Sequence, residues 1–161
     1  MSTRGMALFL LTVLLASGCD RQAKPEPRPD MSKVFMQVED CMRMGDTNGA
    51  LTVLTTAMAD KTYSMERGWL YGYSLNILLM ADRLDEAKAR YMETLGKDEE
   101  LTRVGFGVMY GGLSQKGDSA ALEAWLGQMM AAPLPKDMLA QTYAWSMGLF
   151  CTQDKLDKAI E

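Results

Sequence analysis

Cys19 is the residue of this sequence best placed for covalent chemistry, because of what surrounds it. It follows an apolar run at residues 6–16 and two small residues at 17–18, and an acid, Asp20, comes directly after it. A basic start at Arg4, an apolar run and small residues are the three regions of an export signal. As a helix the run would rise only about 16 Å, roughly half the hydrocarbon thickness of a bilayer. The segment therefore predicts export rather than a membrane-spanning helix.

Residues 15–19, LASGC, resemble the lipobox of bacterial lipoproteins. The resemblance implies a signal peptide at residues 1–18 and a diacylglycerol on the Cys19 sulfur, which anchors the chain in a bacterial membrane, facing the periplasm. Two or three acyl chains anchor firmly, since each buried methylene contributes about 0.8 kcal/mol. In enteric bacteria an aspartate after the lipidated cysteine is associated with the inner membrane, so Asp20 favours that membrane and leaves the outer membrane open. The alternative is an ordinary secretory signal cut elsewhere, with Cys19 incidental.

The segment after this cysteine, DRQAKPEPRPD, alternates prolines with charged residues. Proline fixes its own backbone dihedral and has no N–H to donate. We therefore expect residues 19–31 to form an extended, solvated tether of up to about 34 Å, at about 3.1 Å per residue. Removal of Arg4 with the signal changes the formal charge from −4 to −5, which gives no reason to expect a nucleic-acid partner.

The rest of the chain offers little catalytic chemistry. It contains no histidine, which excludes Ser-His and Cys-His pairs, histidine acid-base chemistry and most zinc sites. Acids at residues 98–100 lie where a helix should begin, so we interpret them as helix-capping groups. The glycine-rich stretch at residues 104–112 lacks the preceding strand of a phosphate-binding loop, and we interpret Gly107 and Gly111 as sites of close helix packing. We expect no cofactor, no metal site and no enzymatic activity.

Aspartates recur every 36 residues in the remainder of the chain, at Asp46, Asp82, Asp118 and Asp154. Each precedes a helical pattern with an early alanine, so each is interpreted as a helix N-cap. After residue 31 apolar residues fall at helical spacing, and no strand pattern occurs. A repeat with a period of about 20 to 50 residues is typical of a stacked helical solenoid.

These units resemble tetratricopeptide repeats. Small residues early in the second helix match at Ala50, Ala87, Ala121 and Ala159. Tyr91 and Trp125 match the aromatic residue one turn later, whereas the tryptophan and glycine of the family's first helix are out of register. The resemblance implies an all-α fold, a right-handed α-solenoid of about three and a half helical hairpins in a domain at residues 32–161. The hairpins are expected at residues 32–60, 66–96, 99–131 and 137–161.

In stacks of this family the first helices line a concave groove, which implies a site for a protein or peptide partner. Aromatic residues and arginine are the types that anchor protein interfaces. The candidate groove residues are Phe35, Glu39, Trp69, Tyr73, Asn76, Arg103, Phe106, Tyr110 and Trp145. Cys41 and Cys151 would lie three repeats apart, too far for a disulfide, so the stack predicts two buried free thiols.

The sequence favours a non-enzymatic function: a lipid-anchored adaptor that binds a protein or peptide segment on the periplasmic side of a bacterial membrane. By analogy with other lipoproteins of this build, it would act in assembly of an envelope machine such as a pilus or secretion channel. Two alternatives stay open. One is an enzyme, or the auxiliary of an enzyme, that acts on the cell wall. The other is copper handling by methionine thioethers, although methionines at core spacing favour packing.

Overall fold

The computed structural model describes residues 29–152, and this part of the chain is all-α, as predicted. Seven α-helices and one 3-10 helix make it up, and no strand occurs between residues 29 and 152. The elements are α1 (Ser32–Arg43), α2 (Thr47–Ala59), the 3-10 helix (Lys61–Glu66), α3 (Arg67–Met80), α4 (Leu84–Met92), α5 (Glu99–Lys116), α6 (Ser119–Met130) and α7 (Lys136–Thr152).

Six of these helices form consecutive pairs at the places of the first three predicted hairpins. α1 packs on α2, α3 on α4, and α5 on α6, while α7 packs on α6. α3 also packs on α2 and on α5, so the pairs join into one continuous series. The 3-10 helix between the first two pairs was not predicted. It begins at a cap, because the Asp60 carboxylate accepts a hydrogen bond from the Thr62 N–H at 2.8 Å.

Predictions for the two ends of the chain lie outside the described residues. The signal peptide at residues 1–18, lipidation of Cys19, membrane sorting by Asp20 and most of the tether all precede residue 29. The second helix of the fourth hairpin, with its aspartate Asp154, follows residue 152. These statements stay predictions.

Three helices begin at aspartates whose side chains cap them. The carboxylates of Asp46, Asp98 and Asp118 accept hydrogen bonds from backbone N–H groups three residues later, at 2.8, 3.0 and 2.9 Å. Asp82 is different, and its interpretation as an N-cap is wrong. It has a left-handed backbone conformation with φ of 61°, and its carboxylate pairs with Lys116 instead. The turn before α4 is therefore tied to α5 rather than capped by its aspartate.

α3 is the central helix, because two buried clusters meet on it. Leu70 and Ile77 pack in the first cluster with Val38 of α1 and Leu54 of α2. Leu75, on another side of α3, packs in the second cluster, which α4, α5, α6 and α7 complete. Each fully buried leucine contributes roughly 1.5–3 kcal/mol. With both flanks buried in this way, only one strip of α3 is left for solvent.

Glycines allow α3 and α5 to approach closely, but they are not the predicted pair. A Cβ added at Gly72 of α3 would lie 2.9 Å from the Val104 side chain, and one at Gly112 would lie 2.5 Å from Leu79. Added Cβ atoms at Gly107 and Gly111 would meet nothing within 4 Å. The interpretation of Gly107 and Gly111 as packing sites is therefore wrong. These two glycines lie on the open side of α5.

The two cysteines of the described residues are both free, as predicted. Cys41 is partly buried, whereas Cys151 is exposed near the end of α7. The prediction that both thiols are buried is therefore wrong for Cys151. Its position on the helix points away from the residues of α7 that pack on α6.

Candidate functional site

An exposed strip runs along α3. Trp69, Tyr73, Asn76 and Met80 follow one another at i, i+4, i+7 and i+11, which places them on one face of the helix. Trp69 is 47% exposed and Met80 is 70% exposed, although both are large and apolar. Isolated exposed apolar side chains are ordinary, but a row of them on one face indicates a contact surface.

Neighbouring helices enclose this strip on both sides. On one side, Leu70 and Ile77 pack against the first helix pair. On the other side, Gly68 and Gly72 lie against the Val104 side chain of α5. The strip therefore lies between the first helix pair and α5.

A second exposed strip runs along α5, next to the first. Val104 and its neighbour one turn on, Val108, face α3 at its glycines. Tyr110 faces the opposite way and stacks on Trp145 of α7, with ring centroids 3.7 Å apart. Between these two flanks Gly107 and Gly111 leave the helix surface uncovered. The open side of α5 thus continues the surface of α3 towards α7.

The N-terminal end of this surface is aromatic. Phe35 of α1 meets Trp69 edge-on, with ring centroids 4.8 Å apart and planes at 84°. The ring centroid of Trp69 in turn lies 5.2 Å from that of Tyr73. Glu39, one turn after Phe35, is exposed. We call the exposed strips of α1, α3, α5 and α7 the odd-helix face; its candidate residues are Phe35, Glu39, Trp69, Tyr73, Asn76, Arg103, Tyr110 and Trp145.

One candidate does not belong to this face. Phe106 is only 2% exposed. Its ring centroid lies 5.1 Å from that of Trp125 and 5.0 Å from that of Trp145. The planes of the Phe106 and Trp145 rings are parallel within 7°. The interpretation of Phe106 as a groove residue is therefore wrong, because its side chain is a core residue that supports Trp145 from beneath.

Arg103 lies on the odd-helix face, but its charge is already compensated. Its guanidinium donates hydrogen bonds to Asp137 of α7 and to Glu99 one turn earlier on α5, the latter at 2.8 Å. The hydrogen bond to Asp137 raises the pKa of Arg103 most, and the hydrogen bond to Glu99 raises it further. The hydrogen bond from Arg103 in turn lowers the pKa of Asp137. Such an exposed pair stabilises little. It joins α5 to α7 and leaves no net positive charge on the face.

One further feature of the face was missed in the sequence: Met80, 70% exposed, ends the strip on α3. Continuing the spacing from Trp69 by 11 residues would have found Met80. Nothing in the spacing distinguishes the uncovered Gly107 and Gly111 from the packed Gly105 and Gly112, because which side of α5 faces α3 is decided by packing.

Acidic side chains and cysteines do not cluster as metal ligands in the described part of the chain. Between residues 29 and 152, no three or more histidine, cysteine, aspartate or glutamate side chains gather at one place that could hold a metal ion. Burial raises the pKa of Tyr71 to about 12, and that of Tyr91 further, so both phenols are protonated near neutral pH.

No helix in this part of the chain is long and apolar enough to cross a bilayer.

Comparisons with protein-family models, with curated proteins and with solved structures find no match to this chain. The feature that most needs explanation is the odd-helix face. It combines exposed aromatic and methionine side chains with an uncovered stretch of helix.

Proposed function

We propose that this chain is a membrane-anchored adaptor that binds a protein or peptide segment on its odd-helix face. The observation that carries the proposal is Trp69, a half-exposed tryptophan that contacts Phe35 and Tyr73 at the N-terminal end of the exposed strip of α3. Tryptophan and tyrosine are the residues most often responsible for binding energy at interfaces, and truncation of such an anchor typically costs 2 kcal/mol or more.

The proposal includes a solenoid of tetratricopeptide-like hairpins, and several contacts support it. Phe35 meets Trp69, Tyr91 meets Trp125, and Arg103 meets Asp137, and the members of each pair are 34 residues apart. Contacts at one constant separation are expected when each unit is related to the next by the same step. In such a stack the exposed sides of the first helices lie next to one another and form a continuous groove.

The chemistry of the face favours an apolar partner. Exposed Trp69 and Met80 offer apolar area, and methionine adapts its shape to different partners. Each square ångström of apolar surface removed from water contributes roughly 25 cal/mol. Arg103 is neutralised by its two carboxylates, so an acidic segment would lose hydration without gaining a free counter-charge there. The expected ligand is the apolar side of a protein segment.

The anchor places this face near a membrane. We propose that Cys19 carries a diacylglycerol and that residues 19–31 connect it to α1, which begins at residue 32. A tether of this length lets the helical domain reach a partner tens of ångströms from the bilayer surface, at about 3.1 Å per residue. Asp20 would favour the inner membrane, and the domain would face the periplasm. Labelling with a radioactive fatty acid tests the anchor: Cys19→Ala should abolish incorporation, and retained label would contradict lipidation.

Co-purification tests the binding surface. The full chain, solubilised from bacterial membranes, should retain a reproducible protein partner that Trp69→Ala loses. Met92→Ala is the matched control, because Met92 is also 47% exposed but lies on α4, off the odd-helix face. Loss of the partner with Met92→Ala alone, or its full retention with Trp69→Ala, would contradict the assignment of the binding surface.

A further inference from the structure

A second concave site lies away from the odd-helix face. It is a cavity of about 520 Å³ where α2 and α4 end and where α3 and α5 begin. Its polar lining includes Thr55, Arg67, Arg90 and Lys97, and none of the candidate residues of the odd-helix face takes part. A volume of this size is typical of small-molecule sites, which span roughly 300–1,000 Å³.

The charges around this cavity do not balance. Three cations line it, Arg67, Arg90 and Lys97, against two carboxylates, Glu93 and Asp98. Asp98 is fully engaged, since one oxygen accepts from the Leu101 N–H at 3.0 Å and the other pairs with Arg67 at 3.0 Å. Even if Glu93 offsets Lys97, one positive charge is left in excess, and it belongs to Arg90.

Arg90 also carries an unsatisfied hydrogen-bond donor. Its Nη2 donates to the Thr55 hydroxyl at 3.1 Å, but its Nη1 is buried and has no partner. A buried donor without an acceptor is unfavourable, more so on a charged group. The backbone at this point is held, because the Arg90 carbonyl accepts a hydrogen bond from the Tyr71 hydroxyl at 3.2 Å. When an acceptor enters the cavity, the Arg90 side chain can therefore turn its guanidinium towards it while the backbone stays in place.

We propose that this cavity binds a small monocarboxylate with a short apolar chain. The guanidinium of Arg90 pairs with the carboxylate in the fork geometry that suits it, and Lys97 supplies a second cation. The apolar part of the ligand lies against Met58, Ala59 and Leu101, the aliphatic side chains of the lining. A single excess positive charge suits a singly charged anion better than a phosphate dianion. The same chemistry is offered by a free short-chain acid and by the terminal carboxylate of an apolar peptide.

This site is independent of the proposed adaptor function. It shares no residue with the odd-helix face, so Trp69→Ala should leave it intact. Loss of one activity without the other separates failure of this inference from failure of the proposed function.

Nuclear magnetic resonance titration of the full chain in detergent micelles tests the inference, with sodium hexanoate as the probe. We expect saturable amide shifts at Thr55, Thr94 and Lys97, with a Kd of roughly 1 mM for a ligand of this size. Hexanamide, which lacks the charge, should give no saturable shift there. A peptide ending in a free leucine carboxylate should compete with hexanoate if the natural source is a peptide terminus, and should not compete if it is a free acid.

Variants assign the effect to the two cations. Lys97→Gln and Arg90→Gln should each weaken hexanoate binding about tenfold, the effect of losing a charge-assisted hydrogen bond. Arg43→Gln is the matched control, an exposed arginine of α1 outside the cavity, and should bind as the parent does. If Arg90→Gln does not fold, Lys97→Gln decides the question, because the Lys97 side chain is exposed. Absence of saturable shifts, equal binding of hexanamide, or tighter binding of inorganic phosphate would overturn the proposal.

Discussion

The ring of Phe35 meets the indole of Trp69 edge-on, with centroids 4.8 Å apart and 34 residues between them. The pair joins the exposed sides of α1 and α3. The buried counterpart is Phe106, which lies under Trp145 in a parallel stack. One aromatic pair therefore presents a surface for a partner, and the other holds a surface residue in place.

The two kinds of aromatic position predict different effects on stability. Phe106→Ala should lower the free energy of unfolding by about 3–5 kcal/mol, since it empties a buried site. Trp69→Ala should lower it by roughly 1 kcal/mol, because half of that side chain is exposed. Denaturant unfolding followed by circular dichroism measures both. Equal losses for the two variants would contradict the assignment of Trp69 to the surface and Phe106 to the core.

The two kinds of glycine on α5 predict effects of opposite sign. Gly107→Ala should raise the free energy of unfolding by roughly 0.5–1 kcal/mol, because alanine favours helix and its Cβ meets nothing. Gly105→Ala should lower it, because the added Cβ would lie 2.7 Å from the ring of Tyr91, which is itself buried. Thermal unfolding of the two variants under one condition gives the comparison. Destabilisation by Gly107→Ala would mean that this side of α5 is covered.

The Arg103–Asp137 contact predicts a stability change with pH. The pKa of Asp137 is lowered in the folded chain from an ordinary value of 3.8, mainly by hydrogen bonds from Arg103. The ionised Asp137 carboxylate therefore contributes to the free energy of unfolding above about pH 4. This contribution is lost as the pH falls through the lowered pKa of the folded chain. Arg103→Gln should flatten the fall in melting temperature in acid, and Asp137→Asn should do the same. Unchanged profiles in both variants would contradict a contribution of this contact to stability.

The two free thiols predict different reactivity. Cys151 is exposed and Cys41 is partly buried. In the folded chain iodoacetamide should therefore label Cys151 faster than Cys41, and both equally in denaturant. Peptide mapping by mass spectrometry without reductant reads both sites. A bridge between Cys41 and Cys151 would contradict the arrangement of α1 and α7.

The sequence predicts the helices well and their contacts less well. Helical spacing together with the repeated aspartates predicted the first three helix pairs, and the aspartates at 46 and 118 cap helices as interpreted. Asp82 fails as a cap because a left-handed turn redirects its carboxylate to Lys116, a residue on another helix. The residues next to Asp82 in the sequence give no sign of this pairing, because Lys116 lies 34 residues away.

The sequence also predicts part of the candidate site correctly and part of it wrongly. Trp69, Tyr73 and Asn76 were predicted because the family resemblance implies that the first helix of each hairpin lines the groove, and the three residues share one side of α3. Phe106 was assigned to the wrong side of α5, since aromatic residues suit both a core and an interface. Only the contacts of its ring with Trp125 and Trp145 decide between a core and an interface position.

Site-specific photo-crosslinking from Asn76 tests the central claim most directly. A photoreactive amino acid at this exposed position of the odd-helix face, in the full chain expressed in its native membrane, should crosslink to one protein partner. The adduct should disappear with Trp69→Ala, and the same photoreactive group at Met92 on α4 should not form it. Equal adducts from positions 76 and 92, or an Asn76 adduct that survives Trp69→Ala, would contradict binding on the odd-helix face.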